Sequence, residues 1–170
     1  MVPFMVYIVE IGLLNRENPL VCAGFYRKDE SLTEGTKKEI FVGVYAIISE
    51  LFKNHVLKQL TMGQYTILFY GFDMGNEGSS NVVDVNTLVL SYIIIDTESQ
   101  KLDKEYIKLV RANVKQLSET FKETYAGLDF LSGSIESDFS SFEEQIVAVF
   151  KDLLKTPQER FDNLFGHKKE

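Results

Sequence analysis

The chain of 170 residues contains one cysteine, Cys22, so no internal disulfide can staple it. The position of Cys22 in an apolar run predicts a buried structural thiol in a reducing compartment. Two histidines, His55 and His167, lie far apart, and neither belongs to an HxxxH or CxxC spacing, which removes the usual zinc ligand sets. A helix-cap or surface role is expected of each. No apolar run approaches the roughly 20 residues a spanning helix needs, and the opening MVPFMVYIVEIG lacks the basic start and cleavage pattern of a secretory signal. A cytoplasmic protein is the expectation. Basic charge is scarce as well: 18 Lys and Arg stand against 25 Asp and Glu, and the net charge of −7 opposes generic nucleic-acid binding.

What is present is an order of apolar segments. A chain of this length folds as one domain that buries roughly 70% of its unfolded surface, without a metal or disulfide. Phe4 to Gly12 is almost continuously apolar, NRENP at 15–19 is a turn cluster, and Leu20 to Tyr26 is a second strand, making a hairpin. Thr36 and Glu39 form a capping box before Ile40, Val44, Ile47, Ile48 and Leu51, with Phe41 and Phe52 at the border of the stripe; a helix is predicted to Asn54. Leu57 to Met62 alternates, Gly63-Gln64 turns, and Tyr65 to Phe72 is a further strand. A polar loop over 73–86 leads to the strand Thr87 to Asp96. Ile107, Val110, Val114, Leu117, Phe121, Tyr125 and Leu128 predict one amphipathic helix over 103–128. Phe139, Phe142, Ile146, Val149, Phe150 and Leu153 predict another, entered through Asp138 and a Ser140 to Glu143 box. Thr156-Pro157-Gln158-Glu159 signals a short terminal helix through Phe165.

Unbroken apolar runs mark strands covered on both faces, so the segments from Phe4, Tyr65 and Thr87 belong at the sheet centre and that from Leu57 at an edge. Helices are then required on both sides. The expected fold is a three-layer α-β-α sandwich of α/β (α+β) class, with a five-stranded, mostly antiparallel sheet.

This order of two strands, helix, three strands and two helices resembles the longin or SNARE-like domain, a relative of the roadblock domain. Carrying the resemblance are the hairpin FMVYIVEIG…NPLVCAGFYRKD, the helix IFVGVYAIISELF and the strand ending YIIID before the long helix. It covers residues 1–155, leaving 156–170 as a short C-terminal helix and tail. The longin branch fits better than the roadblock branch, which typically begins with an additional helix. The resemblance implies a non-catalytic module that binds small GTPases, trafficking-complex subunits or a second copy of itself, without a cofactor. Profilin, PAS and GAF folds use similar elements, so a small-molecule sensor is the alternative.

Two surfaces are candidates for contact. At 100° per residue, Val42, Ala46, Ser49 and Lys53 fall opposite the apolar stripe of the first helix, bordered by Tyr45, and only Lys53 is charged. Gly43, costly in a helix interior, suits the close approach of another backbone. The second surface is a basic stripe of Lys104, Lys108, Arg111, Lys115 and Lys122 within about 60° of arc on the long helix, suited to an acidic partner or to peripheral contact with a membrane. A solvated helix face explains such a stripe more simply.

Other patterns fall short. Asp73, Glu77, Gly78, Asn81 and Asp84 match an EF-hand count, yet position 3 is Gly75, position 12 lacks Glu, and strands flank the loop. Its glycines match neither the Walker pattern nor GxGxxG. Asp129, Glu136, Asp138, Glu143 and Glu144 gather near a helix start, where the macrodipole favours negative charge. None of this assembles a catalytic or metal site.

Overall fold

The structure is a computed structural model and describes residues 7–15, 18–25, 34–51, 56–62, 65–74, 87–97, 102–128 and 138–154. Strands β1 (Tyr7–Asn15) and β2 (Asn18–Gly24) precede α1 (Glu34–Leu51). Then come β3 (Val56–Met62), β4 (Tyr65–Asp73) and β5 (Leu88–Asp96). The helices α2 (Lys104–Thr124), α3 (Glu143–Val149) and α4 (Lys151–Leu154) follow, with a 3₁₀ turn over Ser140–Phe142 before α3.

The strands form one sheet in the order β2-β1-β5-β4-β3, each pair antiparallel. The three apolar runs occupy its centre and the alternating run an edge, as their patterns require. Pro19 sits in the outer strand β2, where a missing N–H need not break an interior ladder. Alternation along the strands divides the buried side chains into two sets. Val9, Leu14, Ile67, Phe69, Leu90, Tyr92 and Ile94 pack with Ile40, Phe41 and Val44 of α1 on one face. Ile11, Leu13, Leu68, Phe72, Val89, Ile93 and Ile95 pack with Val110, Val114, Leu117 and Phe121 of α2 and with Phe142 and Ile146 on the other. Helices therefore cover both sides, and the architecture is a three-layer sandwich.

Several local expectations are corrected. Cys22 is exposed: it pairs with Gly12 on the face bearing α1, while Val21 and Ala23 alternate into the opposite core. As an outer strand, β2 is covered on one face only, so its apolar run does not mean double burial. Thr36 is no N-cap, because α1 already begins at Glu34. The Ser140–Glu143 box makes no side-chain cap; instead, Asp138 Oδ1 accepts the Ser140 N–H at 2.9 Å. The helix read across 139–153 is broken, since Phe150 (φ −97°, ψ 12°) leaves helical geometry between α3 and α4. His55, His167, most of the 73–86 loop, Asp129, Glu136 and the segment from Thr156 to Phe165 lie outside the described residues.

Candidate functional site

The outward side of α1 is built by what the helix buries. Ile40, Phe41 and Val44 enter the core, and the Phe41 ring lies 4.7 Å from that of Tyr92, centroid to centroid. This orientation turns Val42, Gly43 and Ala46 to solvent, Val42 being 44% exposed. A Cβ at Gly43 would meet nothing within 4 Å, so no packing inside the chain calls for glycine there. Of the residues expected on this face, Tyr45 and Ser49 lie on α1 but their side chains are not described, and Lys53 lies outside the described residues.

Beneath α1 lies a charged anchor that sequence reasoning missed. Glu10 of β1 is buried, with 4% of its surface accessible. Its carboxylate accepts a hydrogen bond from Lys37 Nζ of α1 at 2.8 Å and another from the Tyr92 hydroxyl of β5 at 2.7 Å. A register shift between Ile8 and Glu10 re-aims β1 here, as bulges do. The signal was a lone carboxylate in an apolar run, followed two residues later by Gly12. A Cβ at Gly12 would stand 2.6 Å from the Tyr92 hydroxyl, 2.7 Å from the Val21 carbonyl oxygen and 2.9 Å from Cys22 Cβ. Glycine is therefore required for the tyrosine to reach the carboxylate.

On the opposite layer, Lys104, Lys108, Arg111 and Lys115 of α2 are exposed and Lys122 is half-buried. Among the described residues, no carboxylate pairs with the first four. The inner side of α2 meets β5 through a small hydroxyl cluster: Ser118 bonds its own helix at the Val114 carbonyl (3.0 Å) and meets Ser91 of β5 at 2.5 Å between hydroxyl oxygens, and the Ser91 hydroxyl also lies 3.4 Å from the Val114 carbonyl. The Tyr70 phenol is held above its usual pKa, first by burial and then by the nearby Glu119 carboxylate. Ser140 donors hold the Asp138 carboxyl below its usual pKa.

No group of three or more His, Cys, Asp or Glu that could hold a metal occurs among the described residues, and none of the described helices is long and apolar enough to cross a membrane. Glu10, Lys37 and Tyr92 satisfy one another under a helix. No protein-family model matches the chain, and no curated protein matches it.

Proposed function

We propose that this chain is a non-catalytic protein-interaction module of longin type, acting in the cytoplasm as a subunit or regulator of a small-GTPase or trafficking-type complex. The observation that supports the contact site is the apolar run of Val42, Gly43 and Ala46 exposed on α1 beyond the exposed Lys38 and Glu39, with Val42 44% exposed while Ile40, Phe41 and Val44 pack in the core. A solvent-facing helix of ordinary design carries charge at such positions. The element order, and the placement of α1 on one face of a five-stranded sheet with α2 and α3 on the other, support the longin reading, since that family covers its sheet in this way. The occupant is a helix or sheet edge from a second copy or from another subunit.

Light scattering of the wild type and of the Val42→Glu and Ala46→Glu variants tests this reading, alongside binding to purified small GTPases loaded with GDP or GTP. Loss of a dimer, or of nucleotide-dependent binding, in both variants supports the strip as the contact. A monomeric wild type that binds no GTPase in either state overturns the assignment.

A further inference from the structure

We propose that the basic flank of α2 binds an acidic peptide segment of a partner protein, at a surface separate from α1 and on the other side of the sheet. Lys104, Lys108, Arg111 and Lys115 are exposed, and Lys122 continues the row. At about 1.5 Å per residue the row is about 27 Å long, which an extended peptide of roughly eight residues matches.

The row is not on the crest of α2. At 100° per residue it falls toward Ser118, which touches β5, whereas Glu105, Ala112, Gln116 and Glu119 occupy the outward side. At the C-terminal end of α2, Tyr125, seven residues beyond Ser118 and so nearest this flank, meets Phe139 and Phe142 edge-on, the rings leading into α3. The positive charges thus overlook the side of α2 adjoining the next helix.

Charge arithmetic selects the occupant. The described helical residues on this side of the sheet, 102–128 and 138–154, hold six basic and eight acidic side chains, a net of −2. A bilayer meets the layer as a whole, within a screening distance of roughly 8–10 Å, and is met by net negative charge. A peptide is narrow enough to meet the row alone. With the rest of the protein strongly acidic, the row also steers an acidic segment to one place.

The test is fluorescence anisotropy of a labelled peptide of alternating Glu and Thr, with its Gln-for-Glu counterpart, against the full chain at low and physiological salt. Sedimentation with phosphatidylcholine vesicles containing phosphatidylserine is measured in parallel. The expected result is salt-sensitive binding of the Glu peptide alone, weakened about tenfold or more by Lys108→Glu with Arg111→Glu. Gln116→Glu, on the crest, should change it by less than about twofold, and so should Val42→Glu, which separates this site from the α1 reading. No binding at low salt, equal binding of the Gln peptide, indifference to the Lys108→Glu/Arg111→Glu pair, or binding of vesicles but not of the Glu peptide each overturns the proposal.

Discussion

The Tyr92 hydroxyl of β5 donates to the Glu10 carboxylate of β1 across 2.7 Å in the buried layer beneath α1. Through the second oxygen, Lys37 ties α1 to the same carboxylate. One buried charge therefore joins two central strands and the helix proposed as a contact surface. Lys37→Met leaves that charge without its cation and is expected to cost about 3–5 kcal/mol. Replacing both ends together, Glu10→Met with Lys37→Met, should recover most of the loss. Urea denaturation of the three variants decides the matter; equal losses in single and double variants would contradict a shared charge.

Gly12→Ala places a methyl against the Val21 carbonyl as well as the Tyr92 hydroxyl, and the backbone atom has little room to retreat. An expected loss of about 1–3 kcal/mol follows from overpacking. Thermal unfolding measures it, and an unchanged melting temperature would mean that the strands separate there without cost.

Gly43→Ala has the opposite sign. Its methyl meets open space, so the helix gains about 0.5–1 kcal/mol. If a partner backbone approaches at Gly43, binding weakens while stability rises. Val42→Glu should change stability by no more than about 0.5 kcal/mol. Calorimetry and a binding assay on the same preparations separate the two effects.

Asp138→Ala removes the acceptor that organises the entry to α3, and its effect depends on pH. The folded carboxyl titrates below its ordinary range because the Ser140 N–H, and then the Ser140 hydroxyl, stabilise the anion. A lowered folded pKa means that the contribution is present above the unfolded value and is lost as pH falls through the folded one. The difference in melting temperature between wild type and variant should therefore close on acidification below the ordinary Asp range. A difference that persists there would assign the effect to something other than charge.

Strand placement was legible because burial on two faces erases alternation, as in the stretch LVLSYIIID of β5, buried throughout. The burial expected of Cys22 from its apolar run failed for a different reason: β2 is an outer strand, and its residues alternate between the core and an exposed side that carries Cys22. Helical periodicity located the packing side of α2 yet passed over the break at Phe150, because Ile146, Phe150 and Leu153 all remain buried across it. On α1, Val42 and Ala46 are exposed, as their places opposite the apolar stripe require. The anchor beneath the helix was not legible, since Glu10, Lys37 and Tyr92 converge from three elements and no local spacing joins them.

The sheet order also carries a cost in time. Tyr7 pairs with Asp96, 89 residues further along the chain, so β1 has only β2 as a neighbour until nearly the whole sheet has been synthesised. At about 5–20 residues per second, that delay on the ribosome is roughly 4–18 s. During it, one of the most hydrophobic segments of the nascent chain offers an unsatisfied ladder, and chaperone capture or aggregation competes with the arrival of β5.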